Sequence, residues 1–389
     1  MEFPFSSPFQ KRTADLQQGQ AVLWLLLIMF AARAAAGLPL MIANQPFGFD
    51  LLPLWTAAGI AFRHPEQLYH FDVITHLQVW AIGSHTGPRP WIYPPSALLV
   101  FAPFGSVPFR YFYPLWAAAT GVLFAWSTMV HLRRDRWLSL AVLTLSSAVF
   151  MALLVGQVTL LIGALVLWGV RLLGRRPVLA GVLLGAAAMI KPTSLLLLPV
   201  ALLSIRNWRA AAACILTGAT AMVMSSVLFG WQTWLDWLHA LPAFTGVIQD
   251  DPTLWRGVIN FTWLAHQAGL PAPVVLFVRI LLAGIGVALV WKVFRATERT
   301  APRVIAMVGS SLLITPYAMF YDAALLAAPA MILMSTDERR VGRGLACFAL
   351  AELAACPPAS PLGLVGLIVL VSALTLRSPK QESVLAATA

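Results

Sequence analysis

The chain has 389 residues, of which 60% are hydrophobic and only 11% are charged, and its mean hydropathy is +0.81. Soluble domains carry about 25% charged residues, so this composition excludes a water-soluble fold and indicates the lipid bilayer as the environment. The net charge of +11 does not indicate nucleic acid as a partner, because the basic residues form small clusters between apolar runs and no continuous face.

The apolar runs predict an all-α membrane protein with about twelve transmembrane helices, since alternating barrel strands are missing from the sequence. Residues 1 to 20 are polar, and the run from 21 to 43 is interpreted as a retained first span and not a cleaved signal peptide. The later predicted spans lie near residues 111 to 132, 137 to 155, 158 to 172, 178 to 190, 195 to 206, 210 to 230, 272 to 294, 302 to 319, 321 to 335, 341 to 356 and 361 to 377. The runs at 178 to 190 and 195 to 206 are short for a bilayer, so we expect shielding by protein or one broken helix.

Clusters of lysine and arginine give the predicted orientation, because basic loops stay in the cytoplasm. Three of these clusters are Arg171 with Arg175 and Arg176, Arg206 with Arg209, and Lys292 with Arg295, Arg299 and Arg303. Keeping every cluster inside gives one polytopic domain over residues 21 to 377, a cytoplasmic tail at 378 to 389, and two large outward loops at about 44 to 110 and 231 to 270. Trp231, Trp234 and Trp237 form an aromatic stripe that predicts an interfacial helix at the start of the second loop.

Cysteine and histidine give no indication of a metal site. Cys214, Cys347 and Cys356 lie in or beside apolar runs without metal-ligand spacing, and no disulfide is predicted. The four histidines of the first loop lack His-Glu-x-x-His spacing, and the chain has no Asp-x-Asp pair. We therefore predict no required metal and no cofactor.

Several short motifs follow one another in a defined order along the chain. They are Phe49-Asp50-Leu51 with Trp55, Leu68-Tyr69, Tyr93-Pro94-Pro95, Gly156-Gln157-Val158, Ile190-Lys191-Pro192, and Thr315-Pro316-Tyr317 followed by Tyr321-Asp322. This order resembles the C-type membrane glycosyltransferases, especially glycosyltransferase family 87, whose members are similar to polyprenol-phosphate-mannose-dependent mannosyltransferases. The resemblance covers about residues 50 to 329.

The resemblance implies a C-type architecture and transfer of a monosaccharide, a hexose such as mannose, from a polyprenyl-phosphate donor. The acceptor would be an envelope lipid, polysaccharide or similar glycan, on the outer face of a bacterial-type inner membrane. An inverting transfer needs a base for the acceptor hydroxyl, and by resemblance that base is Asp50. The alternative is that Asp50 only caps an interfacial helix.

The remaining site predictions concern the donor phosphate and the sugar hydroxyls. Lys191, Arg279 and Arg256 are candidate phosphate ligands, because charge develops on the leaving group. Asp322, Tyr93, Gln157 and Tyr321 are candidate substrate-binding residues. The alternative role of Asp322 is helix capping. The alternative role of Tyr93 and Gln157 is hydrogen bonding to nearby backbone.

Basic residues outside the cytoplasmic clusters also have alternative explanations. Arg33 and Arg279 would pair structurally or extend to the interface, and Arg63, Arg89 and Arg110 would meet lipid headgroups.

Two other function classes fit a polytopic chain. A transporter or lipid flippase would also have about a dozen spans, but no similarity between the two halves of this sequence is visible. A non-catalytic scaffold for envelope assembly would use the same fold without Asp50 chemistry. The acidic residues gather in the predicted outward loops, which favours the enzyme.

Overall fold

A computed structural model of the chain describes residues 47–82, 89–132, 136–250, 257–336, 341–356 and 359–377. The predicted first span, both terminal segments and Arg256 lie outside these residues. The described segments are helices and connecting turns, and the strand pairing found among them is an isolated antiparallel bridge between Val258 and Met319. The prediction of an all-α chain is confirmed.

The helices of the N-terminal half are α1 (Leu52–Ile60), α2 (Phe71–Ile82), α3 (Leu98–Phe101), α4 (Phe109–Met129), α5 (Arg136–Leu145), α6 (Ser147–Val155), α7 (Thr159–Leu172), α8 (Pro177–Ile190), α9 (Leu198–Ser204) and α10 (Trp208–Phe229). The chain continues with α11 (Gln232–Asp250), α12 (Phe261–Gln267), α13 (Ala272–Ala296), α14 (Thr300–Val304), α15 (Ser310–Ile314), α16 (Ala324–Thr336), α17 (Val341–Ala354) and α18 (Ser360–Arg377). Single 3-10 turns lie at Pro95–Ala97, Ala102–Phe104, Pro192–Leu195 and Phe320–Ala323, and a π-helical turn at Ile305–Gly309 joins α14 to α15.

Two of the described helices, α10 and α13, are each long and apolar enough to cross a membrane. Their side chains are largely exposed, and large apolar residues such as Val227 and Phe277 face outward. Exposed apolar surface of this extent is typical of contact with lipid. The other apolar helices of the described chain are shorter, so the predicted count of about twelve spans is not confirmed.

The predicted span at 137 to 155 is not one straight helix. Helices α5 and α6 are bent by 65° at a break that contains Ser146, whose hydroxyl accepts a hydrogen bond from Val149 N at 3.3 Å and caps α6. Glu352 of α17 adds a second cap, because its Oε2 accepts a hydrogen bond from Ser147 N at 2.9 Å. Helices α5 and α6 together form either a broken span or a re-entrant segment.

Helix α7 lies at the centre of the described bundle and packs against α4, α8 and α16. On the far side of α8 lies α10, and the two helices approach closely at Gly181 and Gly185. A Cβ at Gly181 would clash with Ala210 O, and one at Gly185 would lie 2.9 Å from Cys214 O. Small residues one turn apart are the usual basis of close helix packing in membranes.

The prediction of a broken helix around residues 178 to 206 agrees with the geometry. Helix α8 ends at Ile190, a 3-10 turn follows at Pro192–Leu195, and α9 has only seven residues. A helix of this length is roughly 10 Å long, which is too short to cross a bilayer alone.

A helix is present in the second loop, as predicted, but its tryptophan stripe differs from the expectation. Trp231 is exposed, whereas Trp234 and Trp237 are half-buried. Trp234 Nε1 donates to Ser225 Oγ at 3.2 Å, and Trp237 Nε1 donates to Ile92 O in the first loop at 3.1 Å. Part of the stripe therefore joins the two loops instead of facing the membrane interface.

Candidate functional site

Asp50 lies in a turn that is fixed to the end of α6. Asp50 N donates to Val155 O at 3.0 Å, and Gly48 N donates to Leu154 O at 2.9 Å. Gly48 (φ +75°) and Gly156 (φ +76°), which ends α6, both adopt the left-handed conformation that glycine tolerates best. At Gly48 a Cβ would also clash with the ring of Tyr113. Backbone hydrogen bonds and the two glycines therefore fix the turn that carries Asp50.

Both oxygens of the Asp50 carboxylate accept hydrogen bonds. Arg89 Nη1 donates to Oδ1 at 2.6 Å, and Gln157 Nε2 donates to Oδ2 at 2.9 Å. The Asp50 and Arg89 side chains are only 13% and 16% exposed, and the Arg89 guanidinium lies 4.2 Å from the centre of the Phe49 ring. The expectation that Arg89 meets lipid headgroups is therefore wrong, because its guanidinium is turned inward to the carboxylate.

Tyr93 joins this network through Gln157, since its hydroxyl donates to Gln157 Oε1 at 3.3 Å. Burial raises the pKa of Tyr93 well above its ordinary value, and the carboxylates of Asp322 and Asp50 raise it further. The phenol is therefore neutral and available as a hydrogen-bond donor. Gln157 and Tyr93 contact side chains of the site and not merely nearby backbone.

A second ion pair joins Lys191 to Asp322. Lys191 Nζ donates to Asp322 Oδ1, and Thr159 Oγ1 donates to the same oxygen at 3.1 Å. The two charged side chains are 12% and 4% exposed. Asp322 also caps its own 3-10 turn, because Oδ2 accepts a hydrogen bond from Met319 N at 3.1 Å. The capping interpretation of Asp322 therefore agrees with the structure, while its other oxygen pairs with Lys191; substrate binding by Asp322 stays a prediction.

Lys191 occupies this position because α8 ends immediately before it. Pro192 disfavours helical geometry at the preceding residue, and Lys191 accordingly has φ −140° and ψ 79°. Nearby, Ser96 Oγ donates to Met189 O at 2.7 Å, which ties the segment after Tyr93 to the end of α8. The Lys191 ammonium also lies 5.6 Å from the centre of the Tyr321 ring.

The start of α7 connects the two ion pairs. Gln157 donates to Asp50, and Thr159, two residues later, donates to Asp322. Two acidic and two basic side chains from four separate segments therefore lie together at the start of α7. We refer below to Asp50, Arg89, Lys191 and Asp322 as the charged cluster.

The second loop lies beside the charged cluster through the motif at 315 to 322. Ile259 N donates to Ala318 O and Phe320 N donates to Gly257 O, both at 2.8 Å. Asn260, which is fully buried, donates to Thr315 O at 2.8 Å. These bonds hold the segment that precedes Asp322 and make Asn260 a positioning residue of this region.

Of the predicted phosphate ligands, Arg279 does not contact the charged cluster. Arg279 of α13 donates to Ile314 O at 3.2 Å, at the end of α15. This bond agrees with the alternative explanation of Arg279, a structural pairing of its guanidinium. Arg256 lies outside the described residues.

Sequence reasoning missed the contribution of Arg89 and Thr159 to the site. Arg89 stood out as a basic residue that the orientation rule left unexplained, whereas nothing in the local sequence marked Thr159.

No group of three or more His, Cys, Asp or Glu side chains that could hold a metal ion occurs among the residues that the structure describes. His64 is paired with Glu66 at 3.3 Å on the exposed surface of the first loop. Metal independence stays a prediction.

Comparison with known proteins identifies the family. The profile of glycosyltransferase family 87 matches residues 91–316, which is more than half of the chain. The match includes Tyr93, Gln157 and Lys191, whereas Asp50 precedes it and Asp322 follows it. Searches among curated proteins and among solved structures found no match. The chain therefore belongs to glycosyltransferase family 87 and is a membrane glycosyltransferase.

Proposed function

We propose that this chain transfers a monosaccharide from a polyprenyl-phosphate donor to a lipid or glycan acceptor on the outer side of the membrane, with inversion. The observation that carries the proposal is the charged cluster, in which two carboxylates and two cations share a largely buried site at the start of α7. Sugar transfer from a lipid phosphate needs both functions, a base for the acceptor and positive charge for the leaving phosphate.

In the proposed reaction, Asp50 takes the proton of the acceptor hydroxyl while that oxygen attacks the anomeric carbon. The bond between the anomeric carbon and the phosphate oxygen breaks, and the polyprenyl phosphate leaves with the bonding pair. Each Asp50 oxygen already accepts one hydrogen bond, and a carboxylate oxygen has a second acceptor position for a hydroxyl. Arg89 and Gln157 would orient the base for this contact.

Lys191 is the proposed ligand of the donor phosphate. Lys191 is paired with Asp322, so a phosphate would share or replace that carboxylate as its partner. Tyr93 and Tyr321 lie beside the two ion pairs and would form hydrogen bonds with sugar hydroxyls, with Tyr93 as acceptor because its own hydrogen goes to Gln157. Arg279 and Arg256 stay secondary candidates for binding the donor phosphate. The proposed sugar is a hexose such as mannose.

The test is sugar transfer from radiolabelled polyprenyl-phosphate monosaccharides, presented one at a time to membranes that contain or lack the protein. The proposal expects label in lipid or polymer only with the protein present, and only with lipid-phosphate donors. Transfer from a nucleotide sugar in the absence of any lipid donor would contradict it. The family favours an enzyme over the transporter or flippase.

A further inference from the structure

A second charged site lies at the opposite end of α7. The charged cluster is at the start of this helix, which has 14 residues and is roughly 21 Å long. At its other end is a cavity of about 470 Å³, formed where the connections between α7 and α8, α9 and α10, and α13 and α14 converge. Its polar lining consists mainly of Arg171, Arg175, Asn207, Glu298, Arg299 and Arg303. We refer to this space as the basal cavity.

Specific hydrogen bonds join two of these connections and fix the conformation of the third. Asn207 Nδ2 donates to Leu173 O at 2.9 Å and joins the second connection to the first. Arg303 Nε donates to Thr297 O at 2.6 Å, within the third connection. The lining of the basal cavity is therefore fixed in part by hydrogen bonds within and between its connections.

The charge of the basal cavity is strongly positive, because four arginines and one glutamate line it. Arg303 is only 7% exposed, and its hydrogen bonds go to the carbonyls of Thr297 and Phe294. Within the described residues it forms no ion pair. Burial of this guanidinium is costly, the charge of Glu298 offsets only part of that cost, and an anion in the cavity would lower it further.

Phosphate is the anion that this arginine-rich lining fits best, since guanidinium groups bind phosphate oxygens in a fork. The surroundings distinguish a lipid phosphate from a free one. Helix α10 begins at Trp208, beside the lining residue Asn207, and α13 ends at Ala296, close to Glu298. Both helices expose apolar side chains along their length, so acyl chains would lie against them while the headgroup occupies the cavity.

We propose that the basal cavity binds the phosphate headgroup of an anionic phospholipid from the leaflet at that end of the protein. This binding does not depend on the sugar-transfer reaction, which is proposed for the other end of α7. The lipid would hold the ends of α7, α10 and α13 in one arrangement and neutralise Arg303.

The test uses the full chain in detergent, titrated with dioleoyl-phosphatidylglycerol and followed by native mass spectrometry. The first variant replaces two exposed arginines of the cavity rim, Arg171→Gln with Arg175→Gln. The matched control, Arg176→Gln with Arg209→Gln, removes the same charge from exposed positions at the same end that do not line the cavity. We expect at least a tenfold weaker affinity in the rim variant, which corresponds to about 1.4 kcal/mol, and less than about a twofold change in the control.

A third variant, Glu298→Gln, removes the acid of the lining and should strengthen lipid binding. A misfolded protein would not bind lipid more tightly, so this variant separates the proposal from misfolding. Equal losses in the rim variant and the control would overturn the proposal, as would an unchanged or weaker affinity in Glu298→Gln. Inorganic phosphate is the competing ligand. If it displaces the lipid at equal concentration, the cavity takes free phosphate and the lipid assignment is wrong.

Discussion

Arg89 Nη1 donates a 2.6 Å hydrogen bond to Asp50 Oδ1, so the proposed general base is half of a largely buried ion pair. The guanidinium is itself fixed over the Phe49 ring. A carboxylate held in this way has one orientation in which to meet an acceptor hydroxyl, and the first prediction concerns that orientation.

Replacing Arg89 by glutamine should lower sugar transfer by about tenfold to a hundredfold, because the Asp50 carboxylate loses its orienting partner. The loss should fall mainly on kcat, since Arg89 acts through Asp50 and not directly on the donor. Steady-state kinetics with a soluble-chain donor analogue measures both constants. Arg63→Gln, an exposed change in the same loop, is the matched control. A variant with wild-type kcat would rule out a positioning role for Arg89.

Gln157→Leu should destabilise the folded chain by about 1 to 3 kcal/mol, because it leaves the buried Tyr93 hydroxyl without its partner. The double variant with Tyr93→Phe should recover part of that loss, since both polar partners are then removed. Thermal unfolding of the four proteins of this cycle in one detergent gives the interaction energy. Strictly additive losses would show that the two side chains are not coupled.

Lys191→Met should weaken binding of the lipid-phosphate donor and also reduce inhibition by free polyprenyl phosphate. A structural role alone would lower the amount of folded protein without changing the inhibition constant. The measurement is the inhibition constant of polyprenyl phosphate, with Lys292→Met as an exposed control of equal charge change. An unchanged inhibition constant in Lys191→Met would remove this residue from the phosphate site.

Stability should fall as the pH rises above about 10. Burial raises the pKa of Tyr69 and Tyr93 above the ordinary value of 10.0. The folded chain then keeps protons that the unfolded chain releases, so the stabilisation is full below pH 10 and is lost above it. Tyr93→Phe should reduce the slope by about 1.4 kcal/mol per pH unit. Unfolding measured between pH 8 and 11 checks this, and the exposed Tyr111→Phe should leave the slope unchanged.

The sequence was most informative where a local chemical rule acts. Pro192 ends α8 and leaves Lys191 at the helix end, as the motif predicted. Long apolar runs such as that of α13 also kept their predicted bounds within two residues. Both features depend on neighbours in the chain, which a single sequence contains.

Features that depend on distant contacts were not predictable. The partner of Arg89 is 39 positions away and that of Lys191 is 131 positions away, and no local pattern specifies either pairing. The break at Ser146 was missed because residues 137 to 155 contain no glycine, proline or charged residue, and the cap from Glu352 comes from another helix. The sequence therefore named Asp50, Lys191 and Asp322 as candidates, but their pairing and the role of Arg89 emerged only from the tertiary structure.

Asp50→Asn tests most directly whether Asp50 is the base of the transfer reaction. Asparagine keeps the size of the side chain but cannot take a proton. Membranes with wild type, Asp50→Asn and the exposed control Asp72→Asn, at matched expression, receive a radiolabelled polyprenyl-phosphate monosaccharide. We expect transfer by wild type and Asp72→Asn and a loss of at least about a hundredfold in Asp50→Asn. Equal transfer by all three proteins would contradict the assignment of Asp50 as the base.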